Sequence, residues 1–369
     1  MKSRYHFACT AIAVVSLALR VHPAGATDFS VQNLVTDDQT VNAAQTTDSN
    51  LVNAWGVSYS PTGPFWVSDN RTGVSTLYNV NPATNATSKV GLTVTIPGDG
   101  SVTGQAFNGS GGAFNGDLFL FANEDGMLSG WRGALGTNAE VLQTASVDNS
   151  YKGTAIGQTN GHSYLYAADF KGAAIDILKG DAAAPNLAGT FTDPNLPAGF
   201  APFNIANLNG TLYVTYAVVG ATGDDVPGIG NGLVDTFDLQ GNFLARIATQ
   251  DVLNSPWGLA LAPLSFGEFA GDLLVGNFGD GTIHAYDLAT KTLDGMLEGP
   301  GSTPIVIAGL WALIPGNGGM AGDPNSIYFS AGPVDESHGL FGVIVPEPAT
   351  GSLIAAGLLV LAGWRRARA

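Results

Sequence analysis

Cysteine is almost missing from this chain: Cys9 is the one instance in 369 residues. Beyond that residue no disulfide framework and no thiolate-held metal can form, so stability must come from packing. Positive charge is scarce as well, 14 Lys and Arg against 30 Asp and Glu. A surface so acidic repels phosphate backbones and anionic lipid, which removes nucleic acid from the expected partners. Charged residues make up only 12% of the chain, and no long Lys/Glu-rich amphipathic stretch suggests a helical bundle. Catalytic signatures are also missing. There is no Gly-Xaa-Ser-Xaa-Gly elbow, and "GIGNG" and "GNGG" lack the Lys-Ser/Thr of a phosphate loop. His162, His284 and His338 have no companions at metal-ligand spacing, which leaves zinc chemistry without support.

What is present in quantity is glycine, 50 residues, within a chain that is 45% hydrophobic. Short strands joined by tight turns use glycine in this way, because hairpin turns need positive φ. The two ends differ from the rest. Residues 1–26 carry Lys2 and Arg4, a mostly apolar run from Phe7 to Leu19, and Ala24-Gly25-Ala26. That order is the charged region, apolar region and small-residue cleavage site of a secretory signal peptide. At the other end "VPEP" (345–348) precedes an apolar stretch, 351–364, and then "RRARA". Fourteen residues are short for a permanent span, which takes about 20. The arginines would stay on the cytoplasmic side. The box Pro346, Glu347, Pro348, the apolar transmembrane stretch and the basic tail together resemble the PEP-CTERM sorting signal of bacterial proteins. That resemblance implies export, transient anchoring, cleavage near the box by an exosortase, and a destination at the cell surface or beyond. Without residues 1–26 and 345–369 the chain keeps 8 basic and 29 acidic residues, a net charge of −21.

The middle of the chain repeats itself. "NAWGVSYSP" (53–61) returns 202 residues later as "SPWGLALAP" (255–263). Related phrases open at 103 ("TGQAFN"), 152 ("KGTAIG"), 202 ("PFNIAN") and 310 ("LWALIPG"). With Trp55, Gly104, Thr154, Phe203, Trp257 and Trp311 as markers the steps are 49, 50, 49, 54 and 54 residues. Six units of about 50 residues, each with three or four strands between Gly/Asp/Asn turns, predict an all-β, six-bladed β-propeller over 27–344. The last unit is one strand short, and "FSVQNLV" (29–35) is a strand without a unit. The expectation is that the mature N-terminal strand closes the ring, which removes an unpaired edge.

In a propeller the entries to the inner strands and the loops between second and third strands share one face. Those loops hold Asp69-Asn70, Asn123-Glu124-Asp125, Asp169, Asn277 and Gly279-Asp280, with two long loops at 218–231 and 331–338. Such Asp and Asn residues usually bond their own turns, and the three phrase tryptophans read as packing residues. Glu124, Asp169, Asn204 and Asn277 are the candidate ligand or metal residues at the channel mouth, with calcium as the cation such oxygens would take. The phrases "NAWGVSYSPTGPFWVSDNRTG", "FANEDGMLSGW", "LYAADF", "DPNLPAGFAPFNI", "SPWGLALAP" and "LLVGNFGDG" are together similar to an uncharacterised bacterial family of secreted propellers. Many of its members end in the same tail. The resemblance implies the fold and carries no catalytic residue over. Two functions follow from different classes. One is a binding or structural module of the surface or matrix, with polysaccharide or protein as partner. The other is a calcium-dependent hydrolase or lactonase with its site in the channel.

Overall fold

The computed structural model of the protein describes residues 27–347. Among them helix is limited to three short 3-10 turns and the four residues Pro333–Glu336. None of the described helices is long and apolar enough to cross a membrane. The leader at 1–26, Pro348 and the apolar stretch at 351–364 lie outside the described residues.

Six sheets form the blades of a propeller, antiparallel apart from the two-residue strand Thr46–Thr47, which runs parallel to its neighbour at the edge of the sixth. The innermost strands, in chain order, are Ala54–Ser58, Val102–Phe107, Tyr151–Thr159, Phe200–Leu208, Pro256–Leu261 and Leu310–Pro315. Each second strand is a short unbroken run without polar alternation, such as Phe119–Asn123 or Ile327–Ala331, and every residue of those two is buried. A strand reads this way when both of its faces are covered, here by the blades on either side. Blade 3 has three strands; blades 1, 2, 4 and 5 have four.

The sixth blade is completed by Phe29–Thr36, which runs antiparallel to Leu340–Pro346 from Phe29↔Pro346 to Thr36↔Leu340. The ring therefore closes as the sequence predicts, though the last strand runs two residues beyond the expected boundary at 344. Phe29 fixes this closure: it is buried and packs on Phe266 and Phe269 of blade 5, at centroid distances of 4.8 and 6.0 Å.

The recurring phrase has a geometric cause. In all six blades the inner strand carries one extra residue relative to its partner at the phrase, between Ala54 and Val57, Val102 and Gln105, Tyr151 and Gly153, Pro202 and Asn204, Pro256 and Gly258, and Leu310 and Leu313. Such a β-bulge bends and twists the strand locally. The bend brings neighbouring inner strands into backbone contact. A Cβ on Gly56 would stand 2.6 Å from the Thr103 carbonyl oxygen, and one on Gly104 would stand 2.5 Å from the Thr154 nitrogen.

Candidate functional site

The bulges direct aromatic rings at the propeller axis. Trp55 stacks on Trp311 at 3.6 Å, Trp311 stacks on Phe278 at 3.9 Å, and Trp257 meets both tryptophans edge-on at 6.1 and 5.8 Å. Phe203 adds a tilted contact to Trp311 at 6.0 Å. Trp55, Trp257 and Trp311 are all buried. They close the channel as packing residues, and the polar edges of Trp257 and Trp311 tie those two to the strand entries. The Trp257 indole donates to the Lys152 carbonyl at 3.0 Å, and that of Trp311 donates to Asn53 Oδ1 at 3.0 Å.

Above this plug lies the mouth, a chain of polar side chains that crosses four blades. Lys152, at the entry to blade 3, has its Nζ 5.7 Å from the centre of a Trp55 ring and pairs with Glu124 from blade 2. Glu124 accepts from the Asn70 amide at 3.2 Å, and Asn70 accepts from Asn53 Nδ2 at 3.2 Å. The same Asn53 nitrogen donates to Glu336 Oε2 at 2.7 Å, and Arg71 Nε donates to the Glu336 carbonyl at 3.0 Å. Burial raises the Glu336 carboxyl above its usual range despite the Asn53 bond. On the opposite side Asp225, from the long loop of blade 4, is also raised by burial, with the Lys152 charge acting against the shift.

Glu336 is held at some conformational cost. Val334, Asp335 and Glu336 all have positive φ, 56°, 50° and 61°. For a β-branched valine this is an outlier of the kind that surrounding contacts must enforce. Two cavities flank the chain of polar groups. One of about 530 Å³ is lined by Glu124, Asp125, Asn149, Lys152, Lys171 and Asp224. The other, of about 410 Å³, lies between Pro227, Phe278, Val334, Asp335 and Glu336. A third, of about 260 Å³, is the blind channel on the far side of the plug, walled by the inner strands.

Of the four residues proposed from sequence, only Glu124 reaches the mouth. Asp169 is buried and accepts from the Ser150 and Gly172 amides, both at 2.9 Å, and from Asn149 at 2.7 Å. Asn277 is buried too; it accepts from the Asn254 amide at 3.1 Å and donates to the Val252 carbonyl at 2.9 Å. Asn204 lies in the inner strand and donates to the Trp257 carbonyl at 2.7 Å. Asp169 and Asn277 end their second strands, as Asp69 and Asn123 do; at this position Asn123, Asp169 and Asn277 tie the hairpin to the incoming loop, while Asp69 accepts from Thr76 of its own third strand. The four do not form a set of calcium ligands, since three spend their oxygen or amide groups on backbone at separate places. Among the described residues no three His, Cys, Asp or Glu side chains gather in a way that could hold a metal.

Lys152, Asn70 and Glu336 complete the mouth, and sequence reasoning did not single them out as site residues. Lys152 left one signal: a basic residue stands in an inner-strand phrase of a chain whose propeller has only 8.

Comparison with known proteins adds three findings. Residues 345–367 match the PEP-CTERM protein-sorting motif. The chain is 29% identical over 331 residues to an uncharacterised protein of Acanthamoeba polyphaga mimivirus, covering 83% of this chain and 78% of that one. A second protein of the same virus is 29% identical over 328 residues, covering 81% and 82%. The sequence resemblance pointed to a bacterial family, whereas these relatives are viral. Among solved structures, an auxiliary nutrient binding protein from Bacteroides ovatus aligns with a TM-score of 0.48 at 13% identity, covering 88% of this chain and 78% of that one. The periplasmic gluconolactonase of Pseudomonas aeruginosa aligns with a TM-score of 0.45 at 15% identity, covering 80% and 86%. At such scores neither protein's activity transfers to this chain.

Proposed function

We propose that this protein is an exported binding module of the cell surface or extracellular matrix, with its charged mouth as the binding face. Residues 1–26 serve as the export signal, and the tail is the substrate of an exosortase. The observation that carries the reading is the register of the sixth blade. Leu310, Ala331, Leu340 and Thr36 are aligned at the mouth end, while Pro315, Ile327, Pro346 and Phe29 lie at the opposite end. The sorting tail therefore leaves from the face opposite the mouth. A tail held in a membrane points the mouth outward, towards surface polysaccharide or protein. The rim supports a contact role, since Val147, Ile229, Val306 and Val334 are each more than half exposed beside Lys171, Asp224 and Asp335. Rigid propellers commonly act as display platforms, and long loops on one rim of such a scaffold carry function.

The test is co-sedimentation of the mature chain with surface polysaccharide isolated from the producing cells. Lys171→Glu and Asp224→Lys invert charge at the mouth, while Lys291→Glu does so on the tail face. Loss of binding in the first two with retention in the third is the expected result. Absence of binding by the parent, or equal binding by all four proteins, would remove the reading.

A further inference from the structure

The sorting motif begins inside the folded blade. Its match starts at residue 345, yet Val345 and Pro346 are the last two rungs of the strand that closes the ring, paired with Ser30 and Phe29. The next residue is held as well, because the Glu347 amide donates to the Asp28 carbonyl at 2.7 Å. Two of the three box residues thus lie in or beside this ladder, Pro346 opposite Phe29 without an amide to give and Glu347 bonded to Asp28, and no linker separates propeller from box. On its other side the strand loses its partner earlier, since pairing with Ile327–Ala331 ends at Ile344. Among the described residues, Asp28, Phe29 and Ser30 are the strand partners of Val345–Glu347.

A protease reads its substrate as an extended strand, through main-chain hydrogen bonds and side-chain pockets. The main chain of Val345–Glu347 cannot serve Asp28–Ser30 and an enzyme together. We propose that ring closure and the sorting enzyme compete for this stretch, so that the chain processed is one whose sixth blade has yet to close or has opened at Asp28–Ser30. The inference rests on the sorting reading of the tail. The cleavage is an acyl transfer: a peptide C–N bond near the box breaks, and its acyl carbon bonds to the oxygen of water or the nitrogen of an acceptor amine. The departing amine takes the proton that this nucleophile gives up. When opening is fast relative to cleavage, the rate follows the population of the open form. Completed rings would be poor substrates, and processing would fall early, before the N-terminal strand has settled against Phe266 and Phe269.

Two variants of the full chain move this competition in opposite directions. The described chain has no cysteine, so Ser30→Cys with Val345→Cys, which are direct cross-strand partners, can lock the box once oxidised in the exported compartment. A flexible six-residue Gly/Ser insertion after Val345 frees the box and leaves the pairing up to Ile344 intact. Pulse–chase labelling in the producing cells follows loss of the tail. The locked form should be processed at least about tenfold more slowly, with the parental rate restored by reductant, and the insertion variant severalfold faster than the parent. Recovery with reductant separates locking from misfolding, and a non-reducing gel reports whether the bridge formed. Equal rates for parent and insertion variant, or for parent and bridged variant, would overturn the inference while the sorting reading stands. A parent that keeps its tail indefinitely would overturn both.

Discussion

Replacing Trp311 by Ala removes the centre of the axial plug, and its cost can be worked from the contacts. The ring is 1% exposed, stacks on Trp55 at 3.6 Å and on Phe278 at 3.9 Å, and its indole nitrogen bonds to Asn53 Oδ1 at 3.0 Å. Truncating a buried Trp costs about 3–5 kcal/mol through lost transfer energy and the cavity left behind. Two stacked partners and a buried acceptor left without its donor place this site at the upper end, about 5 kcal/mol. That is a third or more of the roughly 5–15 kcal/mol that stabilises an ordinary domain. Trp311→Phe keeps most of the packing and loses chiefly the hydrogen bond, for about 1–3 kcal/mol. Equilibrium urea unfolding of the mature chain, followed by circular dichroism, gives both numbers. A Trp311→Ala cost below about 2 kcal/mol, or equal costs for the two variants, would refute a plug of packed rings fixed by Asn53.

The remaining expectations are narrower. Gly104→Ala, whose new Cβ would meet a backbone nitrogen at 2.5 Å, should cost at least about 2 kcal/mol, whereas Gly91→Ala, with nothing within 4 Å, should be neutral in the same unfolding assay. Mild acid should stabilise the fold. Burial pushes the carboxyls of Asp117, Asp235 and Asp272 up to about 6, and raises those of Glu336 and Asp225 too. Below that value the folded chain holds protons that the unfolded chain, with carboxyls near pKa 4, does not bind, so stability grows as the pH falls through this window. His284, lowered by burial, opposes the trend as a single group. Tm at pH 5 should therefore exceed Tm at pH 7, and a lower value would contradict the assignment. Calorimetric titration with millimolar calcium should show no saturable binding to the mature chain, because Asp169, Asn204 and Asn277 are committed to backbone; a clear isotherm would revive the hydrolase reading.

The propeller was legible because its physics repeats. Where the bulged inner strands touch, Gly56, Gly104, Gly153 and Gly258 recur at steps of 48, 49 and 105 residues, the last spanning two blades, with Trp beside Gly56 and Gly258. Phe29–Thr36 could be assigned by elimination, as a strand without a unit beside a unit short of a strand. The mouth was less legible because repetition misleads there. Asp69, Asn123, Asp169 and Asn277 recur, as the glycines do, for a structural need of every blade: each bonds the end of its second strand to neighbouring chain. A residue that acts at the axis has no need to recur. Lys152 and Glu336 occur once each, in a phrase and in a strained loop; adjacent blades bring Lys152 to Glu124, and only the closed ring brings Glu336 to Asn53, 283 residues away in sequence. The face from which the tail leaves follows from strand order, since the third strand of a blade entered at the mouth ends on the opposite face.

Location in the cell tests the central claim most directly. Glu347→Ala keeps the backbone amide that bonds to Asp28, so the blade stays closed while the centre of the sorting box is lost. Cells producing this variant or the parent are fractionated, and the intact mass of the protein in each fraction is measured. The account predicts that the parent appears at the surface or in the medium without its basic tail, while the variant stays in the inner membrane at the larger mass. If both reach the surface equally, the tail sorts nothing, and an exported module held with its mouth outward is the wrong account.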